Sequence, residues 1–264
     1  MPVQNLRVDR NVDVLVFDSG VGGLSVLNAI RQKAPKHSFA FVGDNAGLPY
    51  GDKSEKWLID RVPQVIAKAL EYVPCKMLVV ACNTASTIVL PPLRAMFSFP
   101  VIGVVPAIKP AALLSSSKVI GLLATPATVA RSYTDTLIED FAADCQVVRI
   151  GSSRLVNLAE EKMRGGAVSL VEIAEILKPF KDASPDVVVL GCTHFPLLKD
   201  EFEAVLPGVR FIDSGDAIAG RVLHFQPLGS SRKDYEGASF FTRADIEVEY
   251  LKAYGLNEVK LLTL

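Results

Sequence analysis

The chain has 264 residues, half of them hydrophobic and 22% charged, with 28 basic residues against 29 acidic ones and a net charge of −1. That balance describes a soluble globular protein of one large domain or two ordinary ones, and it offers no electrostatic footprint for nucleic acid or an anionic membrane. No apolar run reaches spanning length, Met1–Asp13 carries charges where a secretory signal needs an apolar stretch, and the four cysteines lack metal-ligand spacing, so a cytoplasmic protein with free thiols is expected.

In chain order, Val12–Phe17 reads as an apolar strand, and Asp18-Ser19-Gly20-Val21-Gly22-Gly23 turns it into a helix running to about Lys33. Phe39–Val42 is a second strand, followed by the loop Gly43–Asp52. Asp52 and Glu55 resemble a capping box, and Leu58, Ile59, Val62, Ile66 and Leu70 then recur at helical spacing, with Pro63 expected to kink that helix. Leu78–Ala81 is a strand ending in Cys82, and the short helix after it is expected to stop at Pro91-Pro92. Val101–Val105 and Val119–Ala124 are further strands, then a helix around Thr128–Phe141, strand Gln146–Ile150, and helices over Ser153–Arg164 and Val168–Phe180. Val187–Gly191 is a strand ending in Cys192, with a helix over Leu197–Leu206 behind it. Strand Val209–Ile212, helix Asp216–Phe225, a polar loop at Gly229–Asp234, helix Asp245–Tyr254 and strand Val259–Leu262 complete the pattern. Repeated strand–helix units of this kind predict parallel sheets with helices on both faces.

The units repeat at a larger scale. Asp18 lies 64 residues before Cys82, and Ala124 lies 68 before Cys192. Two pseudo-symmetric α/β lobes are therefore expected, residues 1–98 completed by 209–264 and residues 99–208, with the site in the cleft between them. Asp18-Ser19-Gly20 aligns with Ala124-Thr125-Pro126, and Cys82-Asn83-Thr84 with Cys192-Thr193-His194. One continuous sheet is the alternative.

Ligands in open α/β sheets gather at the carboxyl ends of strands, where Cys82 and Cys192 both stand. Taken singly, a cysteine in an apolar strand is a packing residue; two at matched strand ends point to a shared site. Ser19, Asn83, Thr84, Thr193 and His194 fall at the same turns, where free backbone N–H groups favour a small carboxylate and a reactive thiolate. Asp18 and His194 are placed to exchange a proton with the cysteine of their own half, although alone Asp18 reads equally as a helix cap and His194 as a core histidine. Two opposed thiols suit inversion of a carbon bearing an acidic hydrogen: one removes the proton, the other delivers one to the far face, and no metal or organic cofactor is required. Gly20-Val21-Gly22 with Asp44 further on imitates a dinucleotide fingerprint, but Ser25 replaces its third small residue. A two-lobed module that only binds an acidic ligand is the remaining alternative.

Phe17-Asp18-Ser19-Gly20-Val21-Gly22-Gly23, Pro49-Tyr50-Gly51, Ala81-Cys82-Asn83-Thr84-Ala85-Ser86, Gly103-Val104-Val105-Pro106 and Gly191-Cys192-Thr193-His194 resemble, in this order, the motifs of the glutamate racemases within the cofactor-independent aspartate/glutamate racemase superfamily. The resemblance runs from about Val14 to Asp216. It implies interconversion of L- and D-glutamate for peptidoglycan synthesis, with Cys82 and Cys192 as the acid/base pair, Asp18 and His194 as their helpers, and Asp18, Ser19, Tyr50, Gly51, Asn83, Thr84, Thr193 and His194 holding the substrate. Racemisation of aspartate or another acid on the same scaffold is the alternative it leaves. Glu160 matches an assisting carboxylate of some members, while its own surroundings read as an exposed helix charge. Ala107-Ile108-Lys109-Pro110-Ala111-Ala112 is similar to the branch activated by a UDP-linked muramoyl peptide precursor, whose N-terminal segments tend to be longer. Cys75 and Cys145 match no motif and read as packing residues, and a monomer or homodimer is expected.

Overall fold

Val14–Asp18 (β1) is buried at every position, because a strand with helices on both faces needs apolar side chains pointing both ways. In the computed structural model, which describes residues 11–225, 237–246 and 248–264, it is followed by Leu24–Lys33 (α1), Phe39–Gly43 (β2), Glu55–Leu70 (α2), Leu78–Val80 (β3), Asn83–Met96 (α3) and Val101–Gly103 (β4). The chain then crosses to a second lobe made of Ile108–Leu114 (α4), Val119–Ala124 (β5), Pro126–Val129 (α5), Ser132–Phe141 (α6), Gln146–Gly151 (β6), Arg154–Met163 (α7), Leu170–Ile176 (α8), Lys178–Ala183 (α9), Val187–Leu190 (β7), Lys199–Val205 (α10) and Arg210–Ile212 (β8). It returns through Gly215–Phe225 (α11) to Gly237–Phe241 (β9), Val248–Ala253 (α12) and Leu256–Leu261 (β10).

The two sheets run β10-β9-β2-β1-β3-β4 and β6-β5-β7-β8, and their strand pairs are parallel. Each sheet is covered on both sides. Leu15, Phe17, Leu78 and Val80 pack against Leu58, Val62 and Ile66 of α2 and Val89 and Leu93 of α3, while Val14, Val16 and Val79 meet Leu24, Leu27 and Ile30 of α1 and Ile218 and Val222 of α11. In the second lobe Leu123, Val188 and Leu190 face Leu155, Phe180, Phe195 and Phe202, and Ile120, Leu122, Val187 and Val189 face Ile108 and Ala111. Each such side chain contributes about 1.5–3 kcal/mol of transfer free energy, which holds the strand ends, and hence the turns beyond them, in fixed positions. Among the described residues no helix is long and apolar enough to cross a membrane.

The two-lobed α/β architecture agrees with expectation, and several details differ. β4 pairs with β3 and β8 with β7, so the lobe boundaries expected near 98 and 208 lie instead at the crossings 104–107 and 213–214; hydrogen bonding to a neighbouring strand outweighs chain order. α3 continues through Pro91 and Pro92 to Met96, because both prolines adopt helical φ and the buried Val89 and Leu93 hold the helix to the sheet across the missing hydrogen bonds. α2 likewise runs through Pro63 as one helix. The cap of α2 is Ser54, whose hydroxyl accepts from Trp57 N at 3.2 Å, and Asp52 is engaged elsewhere. α4 and β9 have no counterpart in the sequence reading, while the expected helix 128–141 divides into α5 and α6. The polar loop expected at Gly229–Asp234 lies outside the described residues.

Candidate active site

The carboxyl ends of β1 and β3 lie side by side, as do those of β5 and β7, so the repeated turns of both lobes converge on one cleft. Asp18 ends β1 with its carboxyl group fully buried. Its Oδ2 accepts from Gly23 N at 2.6 Å, at the start of α1, and from the Thr193 hydroxyl of the opposite lobe at 3.2 Å. Burial pushes the Asp18 carboxyl above its ordinary range, against the opposing effects of His194 and of the Ser19 and Gly23 amides. Asp18 Oδ1 has no hydrogen-bond partner of good geometry.

Cys82 caps α3 and is 5% exposed; its Sγ lies 3.8 Å from Ser19 Oγ. Burial first, and then the Asp18 carboxylate, push this thiol well above its ordinary range, although the Ala85 amide in the first turn of α3 works the other way. Cys82 is thereby held as a thiol beside a carboxyl group that also favours its protonated form.

The other half is built from different chemistry. Cys192 follows β7, is 6% exposed, and its Sγ lies 3.9 Å from His194 Nδ1. His194 Nε2 lies 2.8 Å from Glu160 Oε1, which also accepts from Val21 N of the first lobe at 2.9 Å. Burial disfavours imidazolium, but hydrogen bonds to Cys192 and Glu160 overcome it and hold His194 well above its ordinary range. For Glu160 burial opposes ionisation, yet the bond to His194 and its charge, with the Val21 amide, keep the carboxyl below its ordinary range. Glu160 is thus a buried member of the site, not the exposed helix charge its local sequence suggested. It lies on the inward face of α7, beside the buried Leu158 and Ala159, with one donor, His194, from its own lobe and the other, Val21 N, from the partner lobe.

Ser19, Tyr50, Gly51, Cys82, Asn83, Thr84, Cys192, Thr193 and His194 line one cavity at this junction, and Asp18 stands behind it. The structure therefore brings together every residue expected at the site. Pro49, Thr125 and Val156 complete the lining. Thr125 bonds Thr84 Oγ1 at 3.0 Å and Thr128 Oγ1 at 2.9 Å, a hydroxyl chain across the lobes; its signal in the sequence was the alignment of Ala124-Thr125 with Asp18-Ser19. The ring of Tyr50 is fixed from behind, its hydroxyl donating to Asp44 at 2.7 Å while Arg61 clasps both Asp44 oxygens at 2.9 and 2.7 Å. Asn83 Oδ1 is buried without a donor.

The glycines of the first turn serve close approach between the lobes. A Cβ on Gly20 would strike the Glu160 carboxylate, and one on Gly22 would lie 2.7 Å from His194 N and closer still to its ring. Asp44, the acidic partner in the dinucleotide reading, is committed to Tyr50, Arg61 and the Thr242 hydroxyl at 2.6 Å, which leaves it no free edge for a ribose. Cys75 and Cys145 pack at the margins of the cores, and burial pushes the Cys75 thiol up to about 12.

Known proteins are similar to this chain in sequence and fold. The glutamate racemase of Shewanella oneidensis is 52% identical over 88% of this chain and 89% of its own length, and that of Klebsiella pneumoniae is 47% identical over 97% and 94%. The crystal structure of Escherichia coli glutamate racemase in complex with L-glutamate and the activator UDP-MurNAc-Ala superposes with a TM-score of 0.90 at 45% identity, covering 96% of this chain and 98% of that one. The glutamate racemase of Thermus thermophilus, in complex with β-chloro-D-alanine, superposes at 0.73 with 32% identity over 96% and 98%. The profile of the Asp/Glu/hydantoin racemase family matches residues 23–222, and this chain belongs to that family.

Proposed function

We propose that this protein interconverts L- and D-glutamate by proton transfer between two thiols, Cys82 and Cys192, without a cofactor. The observation that carries the reading is that two nearly buried thiols, each from a different lobe, line the same cavity. One base cannot readily serve both faces of an α-carbon; two thiols on separate lobes can. When Cys192 acts as base, the imidazolium–carboxylate pair of His194 and Glu160 offers positive charge beside its sulfur, while Cys82, held as a thiol, delivers a proton to the other face. In the reverse direction Cys82 must lose its proton, and Asp18, with its raised affinity for one, is the group beside it to help. The carbanion between these steps needs fixed donors in a site closed to water. The N–H groups at the start of α3 are set for a carboxylate, and Asn83 Oδ1 is an acceptor suited to the α-ammonium group. Ser19, Tyr50, Gly51, Thr84 and Thr193 complete the substrate shell.

The biological setting follows from the same reading: a cytoplasmic enzyme supplying D-glutamate for peptidoglycan and hence cell shape. Activation by a UDP-linked muramoyl peptide precursor is part of the proposal, supported by the 45%-identical Escherichia coli neighbour, which was crystallised with such an activator. The test is incubation of the purified protein with L-glutamate in deuterated water, followed by circular dichroism and mass spectrometry. Loss of optical activity with deuterium at the α-carbon is expected, and a faster reaction with aspartate than with glutamate would overturn the substrate assignment.

A further inference from the structure

Asp44 directly follows β2, and its backbone N–H donates to the carbonyl of Asp18 at 2.9 Å. Its side chain is fully buried yet does not line the cavity. A carboxylate in such a place is costly unless its oxygens are paired, and here four hydrogen bonds from three other segments meet it. Arg61 of α2 donates from Nε to Oδ2 at 2.9 Å and from a terminal nitrogen to Oδ1 at 2.7 Å. Thr242, just beyond β9, donates to Oδ1 at 2.6 Å, and the Tyr50 hydroxyl donates to Oδ2 at 2.7 Å. Thr242 also accepts from Ala46 N at 3.0 Å, and Asn45 is tied to Arg243 and Asp245. The loop leading to the turn Tyr50–Asp52 is therefore fastened at its start as well as at Tyr50.

Of the groups joined at Asp44, only Tyr50 lines the cavity. Trp57 packs edge-on against its ring, with the centroids 5.7 Å apart, and lies under the Arg61 guanidinium. An added Cβ on Gly47 would lie 2.7 Å from Trp57 and 2.9 Å from Tyr50, so the ring has no room to fall back. Its neighbour Gly51 abuts Thr125 of the second lobe, which blocks movement the other way. Burial first, and then the Asp44 carboxylate, hold the Tyr50 phenol well above its ordinary range, so it stays a donor. We infer that Asp44 and Arg61 are positioning residues, which act through the Tyr50 hydroxyl to set the wall of Tyr50 and Gly51 against which the substrate is held. The ion pair suits the task better than a lone carboxylate would. Arg61 balances the charge of Asp44, so the wall is fixed without adding net negative charge behind a site that takes an acidic substrate.

This role rests on the racemase reading, and the test is a double-mutant cycle on the kinetics of glutamate racemisation. Tyr50→Phe removes only the hydroxyl and should lower kcat/KM about tenfold, the low end of what a hydrogen bond to a charged group supplies, mostly by raising KM. A wall that holds substrate and transition state alike acts on KM, whereas a merely structural defect reduces the active fraction and with it kcat at unchanged KM. Asp44→Asn puts an amide donor where one oxygen accepted, and should raise KM at least as far. Arg61→Lys, which keeps the charge and loses the fork, should raise it by a smaller factor. Because Asp44 acts through Tyr50, the variant carrying both Asp44→Asn and Tyr50→Phe should be no worse than Asp44→Asn alone. Calorimetric Kd values for glutamate should follow the same pattern, so the wall is tested even where turnover is absent, and a failure here is distinct from a failure of the functional reading. An unchanged KM and Kd in folded Tyr50→Phe, or losses that multiply to about a hundredfold in the double variant, would overturn the role of Asp44 and Arg61 and leave racemisation standing.

Discussion

Replacing Glu160 by Gln removes one charge from the site while keeping its shape, because the amide oxygen can still accept from Val21 N and His194 Nε2. In the intact protein the carboxylate lies 2.8 Å from Nε2 in a buried setting, and a hydrogen bond to a charged partner of this kind is worth about 1.5–3 kcal/mol. If the rate depends on imidazolium beside Cys192, that loss corresponds to about a tenfold to hundredfold fall in kcat. The pH dependence carries a sign. The pKa of His194 is raised above its ordinary 6.5, so the stability its protonation lends is complete below 6.5 and is lost as pH rises through the folded value; that of Glu160 is lowered from 4.5, so its contribution is complete above 4.5 and is lost as pH falls through the folded value. The pair therefore stabilises most between 4.5 and 6.5, and the variant should lose stability chiefly there and on the alkaline shoulder. The alkaline limb of kcat should move to lower pH as His194 sheds its proton more easily. Initial rates in both directions by circular dichroism, with thermal melting across the same buffers, measure both effects. A folded variant with unaltered kcat and an unaltered alkaline limb would refute the coupling of Glu160 to Cys192 through His194.

Two further outcomes follow from the site. Cys82→Ser and Cys192→Ser should each abolish most racemisation while glutamate binding, measured by calorimetry, persists; turnover near the wild-type rate in either variant would remove the two-thiol mechanism. Gly22→Ala should force the first turn away from the backbone of His194, leaving a folded protein whose kcat falls by about tenfold or more, as misplacing a reacting group by part of an ångström does, and normal kinetics in that variant would show that the lobes can separate there without consequence.

The apolar runs ending in Cys82 and Cys192, and the near-equal spacing from Asp18 and Ala124, were legible because a strand buried on both faces has a composition of its own and a repeat can be counted. The family resemblance rested on the same turns. Helix ends were harder to read: Pro91-Pro92 argues locally for a stop, yet the buried Val89 and Leu93 on either side keep α3 intact. The edges of the sheets were harder still, since nothing in Val101–Gly103 or Arg210–Ile212 says which neighbour will take its hydrogen bonds.

Sequence alone determined which chemistry is present: two thiols, a carboxylate and an imidazole at strand-to-helix turns, because residue type and local pattern decide what a group can do and what element carries it. The tertiary structure decided how these groups are charged and who supports whom. Glu160 looks like a solvated helix charge until α7 is packed against Val21 and His194, and Thr125 looks like an ordinary helix cap until it meets Thr84 across the seam. Burial and the partner across a cleft are properties of distant segments brought together, so no window of neighbouring residues contains them.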